Sequence, residues 1–312
     1  MRFIDAAEVR AGLGPDDCIA VVRAAMMALS AGETIQSPRA VLSLGRGNKF
    51  GVMPAALSAQ GMFGAKLVGV FGDAAHPGRQ AHRGVVVLFD GDNGQPVCVV
   101  DAEEITLART AAASAVATDC LARADATTLA IFGSGAQAEA HVLAIARVRA
   151  LTRVTIWGRS LANASLLAAR LAAATGLEVV AEADGETAAR ADIVCTVTTS
   201  AEPVLFSDWV ADGTHVNLVG SSRPGPVEID RALLLRGRYI ADSRAQVLLE
   251  AAEFLNAKAA GDLGDDHIVG EIGEVLLGRV VGRRTASEVT IYKSLGHPVQ
   301  DLAAAAFLYA RS

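Results

Sequence analysis

The chain has 312 residues, 52% of them hydrophobic, 20% charged and 4% aromatic, with a formal net charge of −6. That length predicts two domains with cores of Ala, Val, Leu and Ile, and an acidic balance without a Lys/Arg stripe argues against nucleic acid or anionic membrane as partners. No run approaches the ~18 apolar residues of a membrane span. The charged N-terminus does not read as a signal peptide, and the scattered Cys18, Cys98, Cys120 and Cys195 form neither a disulfide frame nor a zinc pattern, so a cytoplasmic protein without a metal is expected.

Phe3-Ile4 reads as a short strand. Pro15 then opens a helix with Asp16 and Asp17 in its first turn, Ile19, Val22, Met26 and Leu29 at helical spacing, and Gly32 as its stop. Strand-like pieces follow at 40–44, 50–53, 62–70, 85–90 and 97–100, the last two joined by Gly91-Asp92-Asn93-Gly94 as a hairpin. Several β pieces close in sequence imply a largely antiparallel sheet, able to serve both substrate binding and pairing with a second subunit. From Glu103 to about Arg123 the pattern turns helical.

At Thr127 the organisation changes. Strands at 127–132, 153–157, 177–181, 192–197, 215–219 and 238–241 alternate with helices, the clearest at 136–149 and 160–174, which predicts a doubly wound parallel sheet of the Rossmann type. The tail from Val299 to Ala310 is another apolar helix, preceded by a strand-like stretch at 288–292, so the chain is expected to return to its first domain at the end. The fold class is therefore α/β: a Rossmann domain over 113–289, and an α+β substrate-binding and dimerisation domain over 1–112 and 290–312.

The apolar strand Leu129–Phe132 runs into Gly133-Ser134-Gly135-Ala136-Gln137-Ala138, a G-x-G-x-x-A turn before an alanine-rich helix. Gly133 permits the tight bend, Gly135 lets the backbone approach a pyrophosphate, and Ala138 lets the helix lie close on the strand. The N–H groups at the helix start, from Ala136 and Gln137, point toward the phosphates with the positive helix end behind them. A turn that only packs is the competing reading.

NAD-specific folds place an acid after the second strand to hold the ribose 2′-hydroxyl. Here Val154-Thr155-Ile156-Trp157 leads into Gly158-Arg159-Ser160, and no Asp or Glu occurs from Leu151 to Arg170. Arg159 and Ser160, with Asn163 and Trp157 close by, stand where a 2′-phosphate would lie, and a guanidinium suits a dianion. NADP(H) is expected to be preferred, with NAD(H) possible; a solvated loop arginine is the alternative. The hydroxyls of Thr196-Val197-Thr198 end the fourth strand on the side where ligands gather in open sheets, and would border the nicotinamide ribose.

Two cations stand out in the first domain. Lys66 interrupts the apolar strand Gly64–Val68, and Arg109 lies in a helix of Leu, Thr and Ala. Buried, they need an anion; a polar strand face and an exposed helix face are the other readings. His82, in the expected loop before the Val85 strand, either lines a substrate site or is a surface histidine.

The stretches DAEEITLARTAAASAVA from Asp101, GSGAQAEAH from Gly133, VGSSRPGPVEID from Val219 and EVTIYKSLGHPVQDLAAAAFLY from Glu288, with Pro38-Arg39, Met53-Pro54-Ala55, Lys66 and the His82–Asp90 run, resemble the ornithine cyclodeaminase/μ-crystallin family over essentially the whole chain. Members act on small α-amino or α-imino acids with a nicotinamide cofactor. The resemblance implies that Arg39, Lys66 and Arg109 bind the substrate carboxylate, with Lys66 as a further proton donor. It also implies that Thr110 contacts phosphate, that Gly220 belongs to the loop after the fifth strand, and that Lys293 lies near the nicotinamide. Two positions depart from the cyclodeaminase pattern: Ser222 replaces the aspartate that handles the substrate's amino groups, and Gly51 replaces an acid two residues before Met53.

An anchor for a second, cationic amino group is therefore missing. The expected activity is NAD(P)H-dependent reduction of a small cyclic imino acid, Δ1-pyrroline-2-carboxylate or Δ1-piperideine-2-carboxylate, by a homodimer. An amino-acid dehydrogenase or ornithine-cyclodeaminase-type lyase is the alternative within enzymes. A non-catalytic NADPH-binding protein of the μ-crystallin type is the alternative outside them.

Overall fold

The computed structural model describes residues 1–59, 61–72, 80–222 and 224–312, with backbone alone at 80–82. The chain divides into two compact units, Met1–Arg109 with His297–Ser312, and Thr110–Gly296.

In the first unit, β1 (Arg2–Ile4) leads to α1 (Ala6–Gly12), where Asp5 and Glu8 form a capping box. Next, α2 (Pro15–Ala31) buries Cys18, Ile19, Val22, Ala25 and Met26, and ends at Gly32 with φ 76°, the left-handed stop its glycine permits. The strands β2 (Thr34–Gln36), β3 (Ala40–Gly45), β4 (Asn48–Leu57), β5 (Met62–Gly72), β6 (Gln80–Asp90) and β7 (Pro96–Asp101) form one sheet, ordered β1-β7-β6-β5-β4-β2, with β3 also on β4. Pairing is antiparallel except β1 with β7. At the β6–β7 hairpin, Asp90 accepts from the backbone of Asp92 and Asn93, and Gly94 has φ 72°.

The helix α3 (Ala102–Leu121) follows, beginning in the first unit and continuing into the second. The last helix, α11 in chain order (Pro298–Ala310), returns to the first unit, packing on α2, β4, β5 and β6. Its residues from Pro298 to Ala306 are all buried, Gln300 and Asp301 among them. A helix buried all round needs internal partners for its polar side chains.

The second unit holds β8 (Thr128–Phe132), α4 (Ala136–Ile145), β9 (Arg153–Trp157), α5 (Leu161–Thr175), β10 (Glu178–Glu182), α6 (Gly185–Ala189), β11 (Ile193–Thr196) and β12 (His215–Leu218). It continues with α7 (Arg231–Arg236), β13 (Arg238–Ala241), α8 (Arg244–Glu250), α9 (Ala252–Ala259), β14 (Ile268–Glu271), α10 (Ile272–Leu276) and β15 (Thr290–Lys293). The sheet is parallel throughout, in the order β10-β9-β8-β11-β12-β15-β13-β14. The first five positions follow the Rossmann order, with the strand order reversing beside β8, where ligands gather in such sheets.

One expectation needs correction. The strand near 290, expected with the first domain, is β15, which lies between β12 and β13; all four of its residues are buried, as a central parallel strand requires. β14 was not expected. Among the described residues, no helix is long and apolar enough to cross a membrane, and no group of three or more His, Cys, Asp or Glu could hold a metal ion.

Candidate active site

The cations of the first unit converge on one carboxylate. Strand register sets Lys66 of β5 between Met53 of β4 and Val86 of β6, both buried, on the face covered by α11. Lys66 and Arg109 are only 5% and 6% exposed, which removes the solvated-face readings of both. Lys66 Nζ donates to Asp301 Oδ1 at 3.0 Å and to Thr106 Oγ1 at 2.6 Å. Arg109 Nε donates to the same Oδ1 at 3.1 Å, and its Nη1 to Gln300 Oε1 at 3.1 Å. Asp301 Oδ2 is buried with no protein partner among the described residues.

Two buried cations thus share one carboxylate oxygen, and the half-buried Arg39, between β2 and β3, adds its field to Lys66 and to His297. Burial pulls the Lys66 ammonium down to about 8; Asp301 opposes this, and Arg109 and Arg39 reinforce it. Burial works to raise the Asp301 carboxyl, but the charges and hydrogen bonds of Arg109 and Lys66 outweigh it and hold it below the usual range. His297, which caps α11, is pulled down to about 4 by burial and is neutral at physiological pH. The cluster therefore carries more positive than negative charge, a deficit that an anionic ligand would fill.

Asp301 escaped the sequence reading. Its one signal was an acid flanked by Gln300 in a helix otherwise apolar enough to be buried. His82 lies in β6 opposite Val70, in a strand and not in the expected loop; its side chain is outside the described residues. Gly51 lies on the same face of the sheet as Met53 and Lys66, and a Cβ there would stand 3.2 Å from Val68 Cγ1.

In the second unit the glycine turn has the predicted form. Gly133 has φ 139°, its N–H donates to Trp157 O at 2.8 Å, and a Cβ there would lie 2.9 Å from Val197 Cγ2. Gly135 is the N-cap of α4, no side chain caps that helix, and the space a Cβ would take is open. Ala138 is fully buried, and Gln137 Oε1 is buried without a protein partner among the described residues. His141 anchors α4: its Nδ1 bonds Gln137 O at 2.7 Å, its Nε2 meets Ser114 Oγ at 2.9 Å, and burial pulls it down to about 4. An uncapped helix start behind open glycine backbone suits a pyrophosphate.

After β9, Arg159 is exposed, while Ser160 caps α5 by accepting from the backbone N–H of Asn163, itself exposed. The Trp157 indole does not stand free for a ligand; it packs on Phe132 and donates to Ala183 O at 3.2 Å. Thr110 is buried at the start of the unit.

Other residues expected at the ligand also bond within the protein. Buried Glu228, missed in the sequence, accepts five hydrogen bonds: from Thr196 Oγ1, the Thr198 backbone and hydroxyl, and the backbone N–H groups of Gly220 and Ser221. The threonine hydroxyls expected at a ribose therefore tie the end of β11 to the loop after β12. Gly220 is required there, since a Cβ would lie 2.1 Å from Thr198 O. Lys293, expected near a nicotinamide, is fully buried and gives its ammonium to Glu253 Oε1 at 2.8 Å, Ser221 O at 2.6 Å and Ser221 Oγ at 2.7 Å. Ser222, next in that loop, is half-buried.

The likeness to known proteins runs the length of the chain: the model of the ornithine cyclodeaminase/mu-crystallin family matches residues 2–312. The chain belongs to that family. The ketimine reductase mu-crystallin of Mus musculus is 34% identical over 279 residues, covering 89% of this chain and 85% of that protein. A Delta(1)-pyrroline-2-carboxylate reductase of Bacillus cereus is 30% identical over 315 residues, covering 100% of this chain and 97% of that protein. Among solved structures, Thermococcus litoralis Delta(1)-pyrroline-2-carboxylate reductase, in complex with NADH and L-proline, superposes with a TM-score of 0.95 at 26% identity, covering 100% of this chain and 97% of that one.

Proposed function

We propose that this chain is a reductase of a small cyclic imino acid, Δ1-pyrroline-2-carboxylate or Δ1-piperideine-2-carboxylate, forming the cyclic amino acid with NADPH in preference to NADH. The observation that carries the reading is the shared Asp301 oxygen: one carboxylate faces Lys66 and Arg109, with Arg39 near, so the cluster has room in its charge balance for a substrate carboxylate. The relatives named for pyrroline-2-carboxylate and ketimine reduction support the choice of an imine.

Arg109 and Arg39 would hold the carboxylate by charge-assisted hydrogen bonds. Lys66, still protonated at neutral pH, would give its proton to the imine nitrogen as the C=N bond is reduced. The nicotinamide, when bound, supplies the hydride. Gly133, Gly135, Ala136 and Gln137 would carry its pyrophosphate. With no acid at Gly51 or Ser222, a substrate with one carboxylate and one nitrogen fits better than a diamino acid. A panel of both imines and of amino acids, assayed with NADH and NADPH, tests this. Imine-dependent cofactor oxidation is expected; its absence with both ring sizes overturns the reading. Ammonia release without net change in absorbance at 340 nm would mark a cyclodeaminase instead.

The NADPH preference rests on the acid-free stretch 151–170 and on the exposed Arg159 beside the α5 start. Arg159→Ala is expected to raise KM for NADPH about 10- to 100-fold, the worth of charged hydrogen bonds to a phosphate, and to leave that for NADH unchanged. Equal KM values for the two cofactors, unaltered in the variant, would refute it.

A homodimer is supported by the apolar side chains that β2 and β3 leave in water, Ile35, Val41, Leu42 and Leu44, each about half exposed or more. Sedimentation equilibrium should give twice the 32.1 kDa chain mass; a monomer at micromolar concentration overturns it.

A further inference from the structure

We propose that Asp301 is a positioning residue for the reaction: through Oδ1 it fixes Lys66 Nζ and Arg109 Nε in one geometry and keeps the Lys66 ammonium charged for the proton step. The inference rests on the reading of Lys66 as the proton donor, and goes beyond it by assigning control of that proton to helix α11.

The geometry is specific. A single buried oxygen takes Lys66 at 3.0 Å and Arg109 at 3.1 Å, so moving the carboxylate moves both cations together. Gln300, the preceding residue of α11, holds the Arg109 fork at Nη1 and donates its own amide to Met26 Sδ at 3.2 Å, which ties the arrangement to α2. Thr106, one turn before Arg109 on α3, gives Lys66 a second, neutral acceptor.

The groups around Lys66 divide by sign. Arg109 on α3 and Arg39 between β2 and β3 are positive, and both disfavour a charged lysine. His297 at the start of α11 is neutral, and the Cys18 thiol on α2, near Arg109 and Asp301, is pushed up to about 12 by burial and is neutral as well. Asp301 supplies the negative charge. With it, the ammonium survives burial to about 8; without it, burial and two neighbouring guanidinium groups would act unopposed. The transferred proton would leave Lys66 as a neutral amine while the imine nitrogen gains an N–H and the imine carbon gains hydride from NADPH; water then restores the ammonium.

The test compares Asp301→Asn, Asp301→Glu and Thr106→Val in the full-length protein. In the unaltered protein, kcat/KM should fall as pH rises past about 8, where the lysine loses its proton. Asp301→Asn should bring that alkaline limb down by about one pH unit or more, the usual reach of an adjacent opposite charge. Thr106→Val removes a hydrogen bond but no charge and should leave the limb in place; a limb moved equally far by both changes overturns the proposal. If Asp301→Asn does not fold, Asp301→Glu decides: the limb should stay while kcat falls, and a limb moved down despite the retained carboxylate overturns it.

A second readout needs no turnover. The lysines of this chain are Lys49, Lys66, Lys258 and Lys293, so the Lys66 signal in ε-¹³C-lysine-labelled protein can be assigned by its loss in Lys66→Met and titrated without ligands. A Lys66 titration unchanged in Asp301→Asn overturns the role of Asp301, whatever the activity. Full activity in Lys66→Met would overturn the reading of Lys66 instead.

Discussion

Lys66→Met is expected to lower kcat for imine reduction by about 10²- to 10⁴-fold, the usual contribution of a positioned proton donor. The substitution suits the site. Methionine keeps the length and apolar stem of lysine, and lies between buried Met53 and Val86 in the sheet. Asp301 retains Arg109 as its ion-pair partner, so the variant does not strand a buried carboxylate. NADPH binding is expected to be unchanged and can be followed by titration calorimetry. If the variant turns over the imine within tenfold of the parent, Lys66 is not the proton donor. The pH dependence carries the same information with a fixed sign: the acid form exists below about 8 and is lost above it, so activity limited by this proton falls on the alkaline side.

Glu228→Ala is expected to be the most destabilising single change, costing about 3–5 kcal/mol of unfolding free energy, the range for breaking a buried charged network by removing one partner. Five donors from β11 and the loop after β12 end on its two oxygens. Three of them, the N–H groups of Thr198, Gly220 and Ser221, lie in the backbone and cannot swing to new acceptors, though that of Gly220 also reaches Thr196 O at 3.1 Å. Lys293 and Glu253 lie in the same region, joined through Ser221, so the loss should spread along the carboxyl edge of the sheet. Urea unfolding followed by circular dichroism measures it. A loss under about 1 kcal/mol would mean that water replaces the carboxylate, and the network would then not be what holds the loop.

The features that the sequence made legible are those written in local pattern. The glycine turn was readable because its strand, turn and helix are contiguous, and the antiparallel half was readable from short apolar runs broken by Gly, Asn and Asp. Lys66 and Arg109 stood out because a cation in an apolar run carries an energetic debt. What satisfies that debt could not be read, since Asp301 lies 235 positions from Lys66 and 192 from Arg109. The internal partners of Thr196, Thr198 and Lys293 were hidden for the same reason. Each has a donor suited to a ligand, but Glu228, Ser221 and Glu253 claim those donors first. Strand order was equally hidden: the local pattern marks 288–292 as strand-like and is silent about which neighbours the strand takes.

The place of β15 between β12 and β13 bears on how the molecule comes into being. During synthesis β8 to β12 are made long before residue 290, and until then β12 offers an unpaired edge while β13 and β14 have nothing to dock on. In the first unit the apolar face later covered by α11 waits as well, with Lys66 on it, and neither Lys66 nor Arg109 of α3 has yet met its carboxylate. Residues 290–310 thus close both cores late, and a chain cut short before them would be trapped with open edges and exposed apolar surface, the condition in which partly made proteins aggregate or call on chaperones.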